Sequence, residues 1–233
     1  MRKAKEFTIT ELLIAIATVG MLSAVLFPAF ISAKERAAEA TCATNLKQIG
    51  MAFQMYSQDY DGCIAKSLNG RTWNRVLLES SYVSDVQTFF CPTVPPGNKS
   101  VPALDKPWKR SDGKESPYYL YTYGVLYVND KYVKKLPGNK PGRSTILMEY
   151  KKVNNPANYI IVSESSNQGK LPAYRFAKNT TEWSQIDLSR HNGIVHSLFV
   201  DGHVEACNKA RLSASNLSKA GVCVWDGSEI SKL

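Results

Sequence analysis

One carboxylate stands at the edge of the longest apolar segment of the chain. Glu11 directly precedes residues 12–31, LLIAIATVGMLSAVLFPAFI, which contain no charged side chain. An unpaired charge held in lipid costs about 3 kcal/mol at the centre of a helix and less near its ends. Glu11 therefore requires either a cation that pairs with it or a position at an interface from which it reaches water.

Three histidines form a second group of chemically capable side chains. They fall in a short stretch of the chain with three acidic residues: His191, His196, His203, Asp187, Asp201 and Glu205. A metal site is one interpretation of this group. The interpretation that we favour is structural, with a hydrogen bond from His191 to the turn at Asp201 that fixes a hairpin.

The cysteines do not follow a metal-binding pattern. No pair has the CxxC spacing of a zinc ribbon. An odd number of cysteines leaves at least one outside any disulfide within the chain. The five are Cys42, Cys63, Cys91, Cys207 and Cys223.

Motifs of common catalytic sites are absent from the sequence. It contains no GxSxG nucleophile elbow, no phosphate-binding loop and no HExxH pair. Ser163, Glu164 and Ser165, in VSESS, are interpreted as ordinary residues at the end of a strand. We therefore expect a protein that is not an enzyme.

The apolar segment has the length of a membrane span. At about 1.5 Å per residue, the twenty residues 12–31 reach about 30 Å, the thickness of a bilayer core. Arg2, Lys3 and Lys5 precede the segment, and basic flanks stay in the cytoplasm. The remainder of the chain is thus expected outside it. A cleaved signal peptide and a plain signal anchor are the alternatives.

The residues after the apolar segment continue its helix. Apolar side chains recur at spacings of three and four on one helical face, which predicts a helix to about Asp59. Asp61 and Gly62 then end it, and Pro28 is expected to bend it. The residues of the apolar stripe are Leu46, Ile49, Phe53, Tyr56 and Tyr60.

From about residue 64 the pattern changes to short strands. YYLYTYGVLYVND and YIIVSES are predicted strands. The clearest hairpin is GIVHSLFVDGHVEAC, with strands at residues 194–200 and 203–207 joined by a two-residue turn, Asp201-Gly202. The sequence therefore predicts an α+β fold, in which a long N-terminal helix packs on a small antiparallel sheet domain.

These features resemble the type IV pilins and the pseudopilins of type II secretion. Proteins of that kind have a short basic leader, then a phenylalanine, a glutamate four residues later and a proline further along an apolar helix. Phe7, Glu11 and Pro28 match those positions. A subfamily also has a Cys-Pro pair, matched by Cys91-Pro92, and ends with a histidine, nine residues and Asp-Gly, matched by His191 and Asp201-Gly202. The likeness covers roughly residues 2–62, a few near 91, and 187–207.

The resemblance implies an assembly function. Residues 1–6 are then a leader, 7–31 the membrane-spanning half of the helix, 32–60 its amphipathic half and 61–233 an extracytoplasmic α+β domain. A prepilin peptidase would cut between Glu6 and Phe7, although Glu6 stands where the family usually has glycine, and the new amine of Phe7 is often N-methylated.

The partners follow from the same resemblance. Glu11 of one subunit would pair with the Phe7 amine of the next in a type II secretion or type IV pilus-like fibre. Homologous subunits and an inner-membrane assembly platform are the expected partners. The protein is expected in the inner membrane with its N-terminus in the cytoplasm, and then in the fibre.

Disulfides and calcium are also suggested by the resemblance. Many pilins close a C-terminal loop with a disulfide, which suggests Cys207–Cys223, and Cys42–Cys91 would attach the helix to the domain. Some pseudopilins hold Ca²⁺ with loop carboxylates, and by analogy Asp201 and Asp226 are weak candidate ligands. No other cofactor is expected.

A basic segment supports an alternative function. Residues 99–152 contain twelve Lys or Arg and five Asp or Glu, a net charge of +7, in a chain whose formal net charge is +9. A membrane-anchored module could bind DNA or an acidic glycan through such a surface. A Lys-rich loop that is merely solvated is the ordinary interpretation, and nucleic acid is not the partner that we favour.

Overall fold

The computed structural model describes most of the chain in two units. The described residues are 8–93, 123–126, 131–137, 144–167, 171–172, 175–176, 185–226 and 228–233. Contacts divide the chain into Met1–Glu39 and Ala40–Leu233. Glu6 and Phe7, the predicted cleavage site, lie outside the described residues, as does most of the basic segment 99–152.

A single helix accounts for nearly all of the first sixty residues. Helix α1 spans Ile9–Asp59 and continues through Pro28; the predicted bend there stays a prediction. After it, Asp61 and Gly62 have φ angles of 51° and 75°, a left-handed region that ends helices. The predicted end of the helix is thus confirmed. By length and composition α1 suffices for one membrane crossing, a property that signal sequences share.

Exposure changes along α1. Its residues up to position 37 are exposed, and its buried residues begin at Cys42. The predicted stripe is buried from Leu46 to Tyr56, whereas Tyr60 is 48% exposed and stacks on Tyr56 with ring centroids 4.3 Å apart. Tyr60 lies beyond the end of the helix, where the helical spacing no longer directs it to the core.

The strands of the second unit form two sheets among the described residues. The strands of the first sheet are β1 Cys63–Leu68, β2 Arg71–Thr72, β4 Val133–Pro137 and β5 Ser144–Glu149. Their order is β2-β1-β5-β4, and all pairings are antiparallel.

The second sheet contains the longest described strand at its centre. Its strands are β3 Tyr123–Leu126, β6 Ile160–Asn167, β7 Leu171–Pro172, β8 Arg175–Phe176, β9 Gln185–Asp187, β10 Val195–Phe199, β11 Val204–Cys207, β12 Cys223–Trp225 and β13 Ile230–Lys232. The longest strand, β6, pairs with β3 and β10 along its first half and with β7 and β9 along its second. The sheet order is β11-β10-β6-β9-β12-β13, with β8 beside β3. The β3–β8 and β9–β12 pairs are parallel.

The core lies where the buried part of α1 meets these sheets. Phe53 of α1 packs on Trp73, and Trp73 on Phe89, with ring centroids 5.5 and 5.4 Å apart. All three side chains are essentially inaccessible to solvent. The short helices of this unit are α2 Trp73–Glu79, α3 Lys209–Ser213 and α4 Asn216–Ala220. The α+β class predicted from the sequence is confirmed at this level.

The predicted hairpin is present, but its turn is longer than expected. Leu198 pairs with Val204, and the Phe199 amide donates to the His203 carbonyl at 3.0 Å. The connection is therefore Val200–Gly202, three residues, and only Gly202 among them has a positive φ, 91°. A two-residue turn of the predicted kind needs positive φ at both residues, which Asp201 does not adopt here.

Gly202 is expected to be less tolerant of substitution than the other glycine with the same φ. Both Gly193 and Gly202 have a φ of 91°, so alanine strains the backbone at either position by about 1–2 kcal/mol. At Gly202 the added Cβ would also lie 2.5 Å from Nε2 of Gln54, whereas at Gly193 nothing lies within 4 Å. Chemical denaturation should show a slightly larger loss for Gly202→Ala than for Gly193→Ala, because only the flexible end of the Gln54 side chain has to move aside. Equal losses would mean that the turn does not rest tightly on Gln54.

Candidate functional site

The start of α1 has a local partner for Glu11. The Thr8 amide and hydroxyl both donate to Oε2 of Glu11, at 3.0 and 2.7 Å. In return, the Glu11 amide donates to Oγ1 of Thr8 at 3.3 Å. These reciprocal bonds form a capping box, which satisfies backbone amides that the first turn of a helix leaves without partners.

The capping box was visible in the sequence and adds an interpretation of Glu11. Thr8-Ile9-Thr10-Glu11 has the spacing of a Ser or Thr followed three residues later by Glu, directly before an apolar run. Both Thr8 bonds use the same carboxylate oxygen. The other oxygen, Oε1, has no hydrogen-bond partner among the described residues, and Glu11 is exposed. The cap therefore explains part of the carboxylate's role and leaves one oxygen available to a cation.

A buried polar cluster in the second unit is the most unusual feature of the core. Glu164 is 0% and His191 4% exposed. Nε2 of His191 lies 2.9 Å from Oε1 of Glu164, within hydrogen-bonding distance, and the His196 amide donates to Oε2 at 3.1 Å. The rings of His191 and His196 meet edge to face, with centroids 5.2 Å apart. Because burial without partners is costly for a carboxylate, this network stabilises Glu164 in the core.

A disulfide adjoins the cluster. Cys42 of α1 is bonded to Cys91, with the two Cα atoms 5.3 Å apart, so this predicted pairing is confirmed. Sγ of Cys91 lies 3.5 Å from Nε2 of His191. The side-chain amide of Asn45, one turn along α1, donates to the Phe90 carbonyl at 3.0 Å. Helix α1 therefore fixes both the bond and the segment that carries Cys91.

The backbone around His191 is shaped to place its ring in the core. Asp187 ends β9, accepts a 2.9 Å bond from the Arg190 guanidinium and accepts 3.1 and 2.5 Å bonds from the Ser189 amide and hydroxyl. His191 forms an isolated bridge with Ile194, across Asn192 and Gly193, which both have positive φ. This tight turn directs the His191 ring toward Glu164 before β10 begins.

The predicted bond between His191 and the Asp201 turn is wrong. Strand β10 lies between the two residues, and at about 3.3 Å per residue it separates them by more than 15 Å. His191 contacts Glu164 and Cys91 instead, while Oδ1 of Asp201 accepts from the amide and Nδ1 of His203, at 3.1 and 2.6 Å. The histidines thus divide between the cluster and the turn and do not converge on one site.

The two ends of the motif from His191 to Gly202 both lie against α1. At one end, His191 adjoins the disulfide of Cys42. At the other, Gly202 lies so close to Gln54 that a Cβ would meet its amide. Cys42 and Gln54 are twelve residues apart, about 18 Å along the helix, which is close to the length of the five-residue strand β10, about 16 Å. Strand β10 therefore accounts for most of the distance between the two ends of the motif, and the rest of the nine-residue spacing lies in turns.

The predicted pairing of Cys207 with Cys223 is wrong. The two residues do not form a disulfide, and β10, β6 and β9 separate their strands in the sheet order. A disulfide needs Cα atoms within about 7 Å, a distance typical of adjacent strands. Burial raises the pKa of the Cys207 thiol to about 11, so it is poorly reactive as a nucleophile.

Glu164 is the important residue that sequence reasoning missed. It was interpreted as an ordinary strand-end residue, but it lies inside β6 and is fully buried. The signal was a carboxylate one residue after the apolar run YIIV and before further uncharged residues. An acidic side chain at such a position in a central strand requires a buried partner, and the sequence did not indicate which residue supplies it.

Asp226, a candidate calcium ligand, caps its own loop. Its Oδ1 accepts bonds from the amide and hydroxyl of Ser228 and from the Glu229 amide, each at 2.9 Å. The backbone bonds from Glu229 and Ser228, then the Ser228 hydroxyl, lower the pKa of Asp226 to about 2. Among the described residues, one group of donor atoms lies close enough together to share a metal ion, and neither Asp201 nor Asp226 belongs to it. Calcium binding stays a prediction.

We expect Asp226 to titrate near pH 2 in the folded protein. An unfolded aspartate titrates at about 3.9, so the loop is stabilised fully above about pH 4 and loses this contribution as the pH falls through 2. Carbon-13 NMR of the side-chain carboxyl group measures the titration directly. Ser228→Ala removes one donor and should raise the pKa of Asp226. A wild-type titration at the ordinary value would contradict the bonds described above.

The basic segment is described only in part. Nζ of Lys134 and of Lys152 lie 2.7 and 2.9 Å from Oε1 of Glu149. These hydrogen bonds lower the pKa of Glu149, and the bond to Glu149 raises the pKa of Lys134. Part of the positive charge is thus neutralised locally. The other basic and aromatic residues of 99–122 lie outside the described residues.

Comparison with known proteins adds no family to these observations. No family model matches the chain, and neither a curated protein nor a solved structure matches it.

Proposed function

We propose that the chain is a pilin-like subunit, a pseudopilin or minor pilin, that assembles through its N-terminal helix into a fibre of the type II secretion or type IV pilus kind. In this proposal the protein has a structural role and is not an enzyme. A prepilin peptidase processes it between Glu6 and Phe7, and an inner-membrane platform adds it to the fibre. The domain from about residue 61 then lies outside the cytoplasm.

The observation that carries the proposal is the exposure of the first half of α1. This part of the helix presents large apolar side chains on every face, and several are more than half exposed: Leu12, Ile14, Ile16, Val19, Leu22, Val25, Phe27 and Phe30. Exposed apolar surface of this extent requires a cover. Lipid provides one before assembly, and the helices of neighbouring subunits provide another in a fibre.

The position of Glu11 supports assembly in a defined register. It is the sole ionisable side chain of residues 8–33, and its Oε1 has no partner in the described part of the chain. After cleavage, the amine of Phe7 would be a cation at the start of the same helix. A carboxylate and an amine at the start of the apolar helix form a strong pair in the low-dielectric medium of the membrane. Such a pair between adjacent subunits would fix their offset along the fibre axis.

Intact mass and cross-linking of the native protein test the proposal. We expect a mature chain that begins at Phe7, with or without one added methyl group. A photoreactive residue in place of Val19, which is 62% exposed, should give a ladder of cross-linked copies in native membranes. The same protein diluted in detergent should give monomer, which controls for chance encounters. A full-length chain that retains Met1 and cross-links to no second copy would contradict assembly.

A further inference from the structure

Four potential metal ligands meet in the buried cluster. They are the sulfur atoms of Cys42 and Cys91, a carboxylate oxygen of Glu164 and an imidazole nitrogen of His191, and all lie within 4.8 Å of one another. All four residues are buried. Each comes from a different part of the fold, namely α1, the segment after the 3₁₀ helix Val86–Phe89, β6 and the turn before β10. A convergence of this kind is specified by the tertiary structure and not by a local motif.

The distances suit a small tetrahedral ion. Nε2 of His191 is 3.5 Å from Sγ of Cys91 and 2.9 Å from Oε1 of Glu164. A tetrahedral Zn²⁺ site has bonds of about 2.3 Å to sulfur and about 2.0 Å to nitrogen or oxygen, so its ligand atoms lie about 3.3–3.8 Å apart. Shifts of about 1 Å or less in side-chain position therefore convert the observed arrangement into that geometry.

The chemistry of the donors selects zinc over calcium. Two sulfurs, one imidazole and one carboxylate form a mixed set that suits Zn²⁺, whereas Ca²⁺ takes six to eight oxygen ligands. With two thiolates and one carboxylate, the Zn²⁺ site carries one negative charge, the same as the reduced site without metal, in which both thiols are neutral. Metal binding therefore adds no net charge to the core, where an unpaired charge is costly.

Contacts around the four ligands would hold them in place. Oε2 of Glu164 accepts from the His196 amide, which fixes the carboxylate. Oγ1 of Thr93 lies 2.9 Å from Sγ of Cys91. Metal sites in proteins depend on such outer contacts to orient their ligands.

We propose that Cys42, Cys91, Glu164 and His191 form a redox-controlled zinc site. An external dithiol opens the disulfide by thiol–disulfide exchange and leaves as its own disulfide, and the two cysteine thiols then bind one Zn²⁺; oxidation of the cysteines closes the site. The oxidised state is the one in the structure. In the reduced state Zn²⁺ displaces the two thiol protons, which pass to the buffer. It also takes the place of the hydrogen between Nε2 of His191 and Oε1 of Glu164. The imidazole then carries its proton on Nδ1, which is its other tautomer. The proposal does not depend on whether the subunit assembles.

The test compares oxidised and reduced full-length protein in detergent. A phosphine reduces the disulfide: one water molecule supplies the oxygen of the phosphine oxide and the two hydrogens of the thiols. After anaerobic removal of the phosphine, Zn²⁺ is titrated against a chromogenic chelator. We expect one tightly bound Zn²⁺ per reduced chain and at least about a hundredfold weaker binding to the oxidised chain. Co²⁺ in place of Zn²⁺ should give a sulfur-to-cobalt charge-transfer band.

Variants assign the binding to these residues. His191→Gln and Glu164→Gln remove one ligand each and retain a polar side chain, and each should weaken Zn²⁺ binding by at least the roughly ten- to hundredfold that the loss of an outer contact to a ligand costs. Cys63→Ser and His203→Ala, which change a thiol and an imidazole outside the cluster, should bind as the wild type does. The proposal is overturned if the reduced wild type binds no more Zn²⁺ than the oxidised protein. It is equally overturned if Co²⁺ gives no charge-transfer band with the reduced wild-type protein. This measurement uses the wild type, so its outcome does not depend on whether a variant folds.

Discussion

Replacing Glu11 with alanine is expected to reduce fibre formation by at least about thirtyfold while the protein still inserts into the membrane. In the proposed fibre, the substitution leaves the amine of the neighbouring Phe7 in lipid without its partner, at a cost of about 2 kcal/mol or more. A difference of about 1.4 kcal/mol corresponds to a factor of ten. Quantification of sheared fibres against the membrane-inserted pool by immunoblot measures the effect.

The capping box provides the control for this experiment. Thr8→Ala removes the hydroxyl that donates to Glu11 and retains the carboxylate, so it costs about 1 kcal/mol of helix stability and leaves the proposed ion pair. Glu11→Gln retains a hydrogen-bond acceptor for Thr8 and removes the charge. We expect Thr8→Ala to assemble and Glu11→Gln to fail. The reverse result would show that Glu11 acts only as the cap of its own helix.

Replacing His191 with alanine in the oxidised protein is expected to lower the free energy of unfolding by about 3–5 kcal/mol. The substitution leaves the Glu164 carboxylate, which is 0% exposed, without the imidazole 2.9 Å away. Removal of one partner from a buried polar pair has costs of this size. For a chain of this length, about 2–4 °C per kcal/mol predicts a fall in Tm of about 10 °C. Scanning calorimetry with the disulfide intact measures it.

His203 is the matched control for His191. It lies beyond the other end of β10 from His191, and its side chain is more than a third exposed, beside Asp201, so His203→Ala should change stability by about 0.5 kcal/mol or less. The double substitution Glu164→Gln, His191→Ala removes the carboxylate as well. The double variant should lose less free energy of unfolding than the sum of the losses of the two single variants, because neither partner of the buried pair is then left without the other. Equal effects of His191→Ala and His203→Ala would show that the cluster contributes little to stability.

The elements that depend on neighbouring residues could be predicted from the sequence. The apolar run and the stripe after it determine α1, because their period follows from the geometry of a single helix. Its end at Asp59 is likewise local, since Asp61 and Gly62 adopt the left-handed conformation. Thr8 and Glu11 could also have been paired from their spacing alone. In each case the interacting residues lie within one or two turns of each other.

The residues of the buried cluster were decided only by the tertiary structure. Glu164 and His191 are 27 residues apart, and Cys91 and His191 are 100 apart, so their meeting depends on which strands are neighbours. Strand order separated Cys207 from Cys223 for the same reason. The spacing between His191 and Asp201 is visible in the sequence. Because strand β10 lies between the two residues, however, they are far apart and have different partners. Sequence by itself thus determined the long helix and the hairpin, whereas the order and register of the strands decided what lies at the core, because sheets join residues that the chain keeps far apart.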